Sequence, residues 1–141
     1  MNILTSLFIV SLLLKSNFAF AHGEDKPGPH GGFIRMPGAF HTEVVPQSKT
    51  TLKVFLLDIE WKNPSINNSS LQVILNDKSK TKAQCSVKDN YYLCSFPKPI
   101  DLTKKGELKV LPQRDGQKGA EVSYILPLKF EVVDDGHGGH H

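Results

Sequence analysis

The sequence predicts an all-β protein, an antiparallel β-sandwich of immunoglobulin-like type. Three observations predict it: short runs rich in β-branched and aromatic residues, turn residues at regular intervals between them, and no helical periodicity after the first 21 residues. A small β-barrel would show the same pattern and is the alternative fold.

Eight strands are predicted in chain order. The segment 40–45 alternates, with His41, Glu43 and Val45 on one face and the residues between them on the other. The run 51–59 is apolar on both faces, which is typical of a central strand. The predicted strands are Phe40–Val45, Thr51–Ile59, Leu71–Leu75, Thr81–Val87, Tyr91–Phe96, Glu107–Leu111, Glu121–Leu126 and Leu128–Val133. Turn residues separate them, including Asn63-Pro64, Asn76-Asp77, Pro97-Lys98-Pro99, Arg114-Asp115-Gly116 and Pro127.

The N-terminus predicts an exported protein. The apolar run from Ile3 to Leu14 is shorter than the roughly 20 residues that a membrane-spanning helix needs. Ala19-Phe20-Ala21 has the small-x-small pattern of a signal-peptide cleavage site, although no Lys or Arg precedes the apolar run. Cleavage after Ala21 would give a mature chain that begins with His22. An uncleaved anchor or a buried helix is the alternative.

The expected organisation is a signal peptide (1–21), a leader rich in His, Gly and Pro (22–32), a β-sandwich domain (33–133) and a His-rich flexible tail (134–141). Loss of Lys15 with the signal peptide lowers the formal charge from +3 to +2. The basic residues are scattered, so nucleic-acid binding is not expected. The rest of the chain has no second apolar run, and the mature form is expected not to span a membrane.

Cys85 and Cys94 are the only cysteines. In an exported chain an even count favours a disulfide. A tight turn at Asp89-Asn90 would pair Lys88 with Tyr91 and set the two cysteines opposite each other, at a spacing that suits a disulfide. Binding of copper by the two thiols is the alternative, but the separation lacks the short C-x-x-C spacing of metal sites.

All six histidines lie in two terminal groups, His22, His30 and His41 at the start and His137, His140 and His141 at the end. Structural histidines would be expected within the sandwich, where there are none between 42 and 136. The distribution therefore indicates a shared role in binding a metal. Imidazole is a good ligand for copper, zinc and nickel, which an exported protein meets directly.

His22 has additional ligand chemistry if it begins the mature chain. Its α-amine and ring Nδ1 would chelate one metal, and nitrogen ligands in a tetragonal arrangement favour Cu(II). The alternative is a frayed terminus, which the nearby Gly and Pro residues make equally reasonable.

His41 and Glu43 are two residues apart on a predicted strand, so they project from one face as two ligands or as a ligand and its orienting partner. His30 precedes Gly31-Gly32, where the backbone can approach closely. Counting across a hairpin at Pro37-Gly38-Ala39 places Arg35 opposite His41, so it stays open whether His30 and His41 meet. Met36 is either a thioether ligand for Cu(I) or, as the favoured alternative, a residue that fills a gap in the core.

Asp58 and the tail are further candidate ligands. Asp58 ends an apolar run and is a ligand, a partner of a ligand, or a residue that starts the next turn. The tail with His137, His140 and His141 should bind divalent metals with little selectivity. A solvated tail or a partial cloning remnant is the alternative.

Several short motifs occur together and in order over residues 22–60: Pro29-His30-Gly31-Gly32, then Gly38, then His41-Thr42-Glu43, then a hydrophobic strand ending in Asp58. On these motifs the chain resembles small periplasmic heavy-metal-binding proteins related to the N-terminal metal-binding domains of RND efflux-pump adaptor subunits. The resemblance implies an immunoglobulin-like sandwich, a periplasmic location, and copper or zinc binding by His30 and His41. A weaker likeness to CopC-type copper carriers rests on the N-terminal histidine alone.

The leading hypothesis is a periplasmic or secreted protein, not an enzyme, that buffers or delivers copper or zinc in heavy-metal homeostasis. Its exchange partner would be an efflux-pump adaptor or a metallochaperone. A protein-interaction module of an efflux or secretion assembly, with incidental histidines, is the second hypothesis. An oxidative copper enzyme that uses His22 as half of a two-histidine brace is a third, which no other motif supports.

Overall fold

A computed structural model of the chain describes residues 26–130. The predicted signal peptide (1–21), His22 and the tail with His137, His140 and His141 lie outside the described residues. The nine strands are β1 (Phe33–Arg35), β2 (His41–Pro46), β3 (Thr51–Leu57), β4 (Ser70–Leu75), β5 (Gln84–Lys88), β6 (Tyr91–Ser95), β7 (Gly106–Arg114), β8 (Gln117–Lys118) and β9 (Val122–Leu126).

The strands form two antiparallel sheets, which confirms the predicted β-sandwich. The first has the order β1-β2-β3-β6-β5. In the second, β7 pairs with β4 along one edge and with β8 and β9 along the other. Residues 26–130 contain no helix that could cross a membrane.

The core lies between the sheets and follows the period-2 alternation of strands. From β3, Leu52, Val54 and Leu56 are fully buried and point inward. Phe55 and Leu57 alternate with them and belong to a second, smaller cluster on the outer face of the first sheet. β3 is therefore buried on both sides, as its sequence predicts for a central strand.

Tyr124 of β9 ties β2 to the facing sheet. Its hydroxyl donates to the carbonyl oxygen of Thr42 at 3.1 Å and accepts from the Thr42 hydroxyl at 2.6 Å. Burial raises the pKa of Tyr124 far above its usual range, so the hydroxyl keeps the proton that it donates. This link fixes β2, which carries His41 and Glu43, against a rigid core.

Cys85 and Cys94 form a disulfide between β5 and β6. They are directly opposite in the register, and the same hairpin pairs Lys88 with Tyr91 around a turn at Asp89. The predicted hairpin and disulfide are both confirmed, and no thiol is free for copper among the described residues.

Several predicted strand bounds differ from the structure, among them that of Thr51–Ile59, which ends at Leu57. The predicted strand Leu128–Val133 is wrong over 128–130, where the chain packs on the core without strand pairing, and Phe130 stacks on Phe33 at 4.2 Å. The segment 81–83 pairs with β4 only at an isolated bridge, so β5 begins at Gln84. β1 and β8 were not predicted, since three and two residues are too few to show a pattern.

The hairpin register at Pro37-Gly38-Ala39 also differs by one residue. Arg35 pairs with Thr42, not with His41. The Arg35 guanidinium donates to the carbonyl oxygen of Ser123 at 2.9 Å and lies over the Tyr124 ring, which requires it to point between the sheets. The loop after β1 therefore contains one residue more than the simple count assumed.

Candidate metal centre

The candidate ligands His41 and Glu43 lie on the outer face of the first sheet, above the smaller cluster. In the register of β2 and β3, His41 pairs with Leu57 and Glu43 pairs with Phe55. The cluster, here called the outer cluster, consists of Ile34, Phe55 and Leu57 with the partly buried Val45, Trp61 and Tyr91. The face that carries these ligands is thus largely apolar.

The end of the leader packs directly on this face. The segment 28–32 folds into a tight turn, in which the Gly31 N–H donates to the Gly28 carbonyl oxygen at 2.9 Å and the Gly28 N–H to the Gly32 carbonyl oxygen at 2.8 Å. A Cβ atom on Gly32 would lie 2.6 Å from the carbonyl oxygen of Val44, and one on Gly28 would collide with the Glu43 carboxylate. Only glycine allows this close approach.

The turn surrounds the carboxylate of Glu43, whose side chain is completely buried. The backbone N–H groups of His30 and Gly32 both donate to Oε2 at 2.9 Å. Nδ1 of His30 lies 2.6 Å from Oε1. These three contacts satisfy a buried carboxylate that would otherwise be costly, and they attach the leader to β2.

His30 is held by stacking as well as by the carboxylate. Its ring lies parallel to that of Phe55, with the ring centroids 3.7 Å apart and an angle of 4° between the planes. A carboxylate oxygen can only accept, so Nδ1 carries the proton and, in the neutral ring, Nε2 has the free lone pair. The side chain is 36 % exposed.

The His41 ring is also held through Nδ1, in this case by a backbone carbonyl oxygen. Its Nδ1 lies 3.0 Å from the carbonyl oxygen of Asp58, which again requires the proton on Nδ1. The residue is only 4 % exposed. Nε2 has no hydrogen-bond partner within residues 26–130. Every fully buried side-chain nitrogen or oxygen in these residues does have one, so Nε2 must belong to the small exposed part of His41.

Asp58 contributes its backbone to this arrangement, while its carboxylate stabilises a turn. The carboxylate accepts from the backbone N–H groups of Glu60 and Lys62 at 2.9 Å and from the Asn63 amide at 2.8 Å. These hydrogen bonds hold the pKa of Asp58 below its usual range, and the one from the Lys62 backbone has the largest effect. The side chain of Asp58 therefore stabilises the turn, which was the alternative to a role as a ligand.

Sequence reasoning missed Phe55 and Trp61. Phe55 supports His30, and the Trp61 ring lies 5.9 Å from that of His41 at an angle of 74°. Pairing the ends of the predicted strands, Val45 with Thr51, would set Lys53 opposite Glu43, two residues from its observed partner Phe55. Nothing in the sequence places Trp61 beside His41, because that depends on a turn in which Trp61 has a positive φ of 63°.

The described ligand candidates do not form a multi-ligand cluster. Within residues 26–130, no three His, Cys, Asp or Glu side chains converge as a group that could hold a metal ion. The structure brings His30 and Glu43 into contact and puts His41 on the same face two residues away, about 7 Å along β2. His22, His137, His140 and His141 lie outside the described residues, and their ligand roles stay predictions.

Replacing Gly32 by alanine is expected to detach the leader turn from β2. The added methyl group meets the Val44 carbonyl oxygen, which is backbone and cannot rotate away, so we expect a loss of roughly 1–3 kcal/mol in the free energy of unfolding. Chemical denaturation measures this. Gly38→Ala is the matched control, because its Cβ would make only ordinary contacts at 3.7 Å. Equal stability of the two variants would contradict the close packing of the leader.

Comparison of the chain with protein-family models, with curated proteins and with solved structures gives no match. The interpretation of the site therefore rests on its geometry and on the sequence motifs.

Proposed function

We propose that this protein is an exported metal-binding protein that buffers or delivers copper or zinc in heavy-metal homeostasis, with His30 and His41 as ligands through their Nε2 atoms. The observation that carries the proposal is the shared state of the two rings. Each donates Nδ1–H to a fixed oxygen, the Glu43 carboxylate or the Asp58 carbonyl, and each leaves Nε2 unpaired within the described chain. Metal-ligating histidines are typically oriented in this way by a carboxylate or a carbonyl oxygen.

In this proposal Glu43 orients His30 and is not itself a ligand. Both of its oxygens already accept hydrogen bonds from the leader. A carboxylate partner also makes the imidazole a stronger electron donor to a metal. Two imidazoles alone leave coordination positions on copper or zinc unfilled. The nearest further histidine in the chain is the predicted ligand His22, eight residues before His30.

The Cys85–Cys94 disulfide supports a location outside the cytoplasm, since reducing conditions inside cells remove most disulfides. Together with the predicted signal peptide it supports a periplasmic or secreted protein. An efflux-pump adaptor or a metallochaperone would then be the partner that receives or supplies the ion.

The test compares metal binding by the mature protein with that of a His30→Asn/His41→Asn variant, both with alanine at the three tail histidines. Asparagine places an amide near the position of Nδ1, so it can keep the hydrogen bonds to Glu43 and Asp58 while removing Nε2. Competition titrations with Zn(II) and Cu(I) should show one bound ion in the parent and an affinity at least about a hundredfold lower in the variant.

Equal or negligible binding by both proteins would overturn the proposal. The His30–Glu43 pair would then be a purely structural clamp for the leader. That outcome would favour the second hypothesis, in which the sandwich is an interaction module and its histidines are incidental.

A further inference from the structure

β5 is an edge strand, and part of its backbone faces away from its neighbour. It comes last in the sheet order β1-β2-β3-β6-β5, so β6 is its partner on one side. The Cα atoms of Cys85 and Cys94 are 4.0 Å apart, and such a short spacing is typical of a non-hydrogen-bonded pair in an antiparallel ladder. The N–H and C=O groups of Cys85 therefore point away from β6, and those of Val87, two residues further along, point the same way.

A hydrogen bond of Ala83, two residues before Cys85, supports this direction. The Ala83 N–H donates to the Val73 carbonyl oxygen of β4 at 2.8 Å, and an isolated bridge to β4 lies one residue earlier. After Ala83 the two strands diverge, because β4 belongs to the second sheet and β5 to the first. Within residues 26–130, Cys85 and Val87 pair with β6 alone. Their outward N–H and C=O groups form an unpaired edge, here called the β5 edge.

The two faces of β5 offer different surfaces to an added strand. Val87 lies on the inward face, opposite the buried Tyr92, yet it is 54 % exposed since β4 has diverged from β5. Met36, at 47 %, is another exposed apolar residue, so the favoured alternative that it fills a gap in the core is wrong. Beside the outward face of β5 lies an open depression, whose lining includes Gln84, Ser86, Leu93 and Ser95. An added strand would cover Val87 with apolar side chains and place polar ones over the depression.

The charge along the β5 edge is positive. Residues 78–88 contain no Asp or Glu and four exposed lysines, Lys78, Lys80, Lys82 and Lys88. Lys53 of β3 adds a further positive charge nearby, because its ammonium lies 4.9 Å from the ring centroid of Tyr91, the partner of Lys88. Opposite charges on neighbouring strands stabilise their pairing, and like charges oppose it. The edge therefore favours an acidic strand.

We propose that the β5 edge binds an extended, acidic segment of another protein, which adds to the five-stranded sheet as a sixth strand. Main-chain hydrogen bonds to Cys85 and Val87 supply the affinity in this mode of recognition, and alternate side chains supply the specificity. A second copy of this chain is a poor partner, because it would bring two sets of lysines together. Lysines on edge strands are a common protection against such pairing.

The test adds a peptide with blocked termini, in which Glu alternates with Val or Thr, to the mature protein and follows amide hydrogen exchange by NMR. Binding should slow the exchange of the Cys85 and Val87 N–H groups at least about tenfold, because both gain an acceptor. Exchange in β8, which lies in the second sheet, should not change. The same peptide with Lys in place of Glu should have no effect.

Two sets of variants separate the backbone contribution from the charge. Val87→Pro removes an outward N–H without touching the ladder with β6, and proline is tolerated at such edge positions. It should weaken peptide binding at least about tenfold, whereas Val87→Thr keeps the N–H and should bind within about threefold of the parent. Lys82→Glu/Lys88→Glu should lose the acidic peptide and bind the lysine peptide. Lys118→Glu/Lys129→Glu is the control, because it changes the charge equally on the side of the sandwich away from β5.

Unchanged exchange of Cys85 and Val87 with the acidic peptide would overturn this inference. Equal effects of the two peptides, or of the two double variants, would overturn it as well. Slow exchange in the protein alone that increases with its concentration would show that a second copy occupies the edge, which also contradicts the inference. None of these measurements involves a metal ion, so the proposed function is tested separately.

Discussion

Replacement of Glu43 by glutamine is expected to lower the free energy of unfolding by about 2–3 kcal/mol and the metal affinity about 10–100-fold. Glutamine has the same shape but exchanges one acceptor oxygen for an NH₂ donor. The Glu43 side chain is completely buried and receives three donors, His30 Nδ1–H and the N–H groups of His30 and Gly32. The new NH₂ group would either face a backbone N–H, which would stay unpaired away from water, or face His30 Nδ1, which would then have to accept and move its proton to Nε2, the proposed metal ligand.

Denaturation curves and metal competition titrations measure the two effects. Glu107→Gln is the matched control, because Glu107 sits in a half-exposed pair with Lys109 at 3.2 Å, where a surface ion pair contributes about 0–1 kcal/mol. If Glu43→Gln were as stable as this control, the leader would not be held by the carboxylate, and the orienting role of Glu43 would be lost with it.

Replacement of Phe55 by alanine is expected to cost about 3–4 kcal/mol in the free energy of unfolding, the usual range for a buried aromatic ring. Phe55 is 5 % exposed and holds the outer cluster together, between the stacked ring of His30 and that of Tyr91 at 5.0 Å. Its removal would also leave His30 without a flat surface to stack on. Thermal or chemical denaturation measures the loss.

Phe55→Leu separates packing from stacking. Leucine keeps most of the apolar volume and should cost less than about 1.5 kcal/mol. In the parent protein, the Phe55 ring current displaces the ¹H NMR chemical shifts of the His30 ring. In Phe55→Leu these chemical shifts should return toward those of an unstacked histidine. Unchanged His30 shifts in Phe55→Leu would show that the two rings do not stack in solution.

The sequence was sufficient for the features that depend on local pattern. Alternation placed His41 and Glu43 on one face of β2, and two-sided hydrophobicity identified β3 as a central strand. The turn at Asp89-Asn90 fixed the register of the β5–β6 hairpin, and with it the disulfide. In each case the determinant lies within about ten residues of the feature.

Features that depend on contacts between distant segments were not predictable. The burial of Glu43 comes from a leader turn 11 to 13 residues away, which approaches because Gly28 and Gly32 lack a Cβ atom. The orientation of His41 comes from a backbone carbonyl 17 residues away, which no side-chain motif reveals. For Asp58 the ligand hypothesis relied on the carboxylate, whereas the structure uses the carbonyl oxygen for His41.

The central claim is that His30 and His41 bind one metal ion through Nε2 while Nδ1 stays protonated. Long-range ¹H–¹⁵N NMR of the imidazole rings, recorded before and after one equivalent of Zn(II), tests it most directly. We predict that both rings start with the proton on Nδ1 and that the Nε2 resonances of His30 and His41 shift together on addition of the metal. Shifts confined to His22 and the tail histidines, with His30 and His41 unchanged, would contradict the claim.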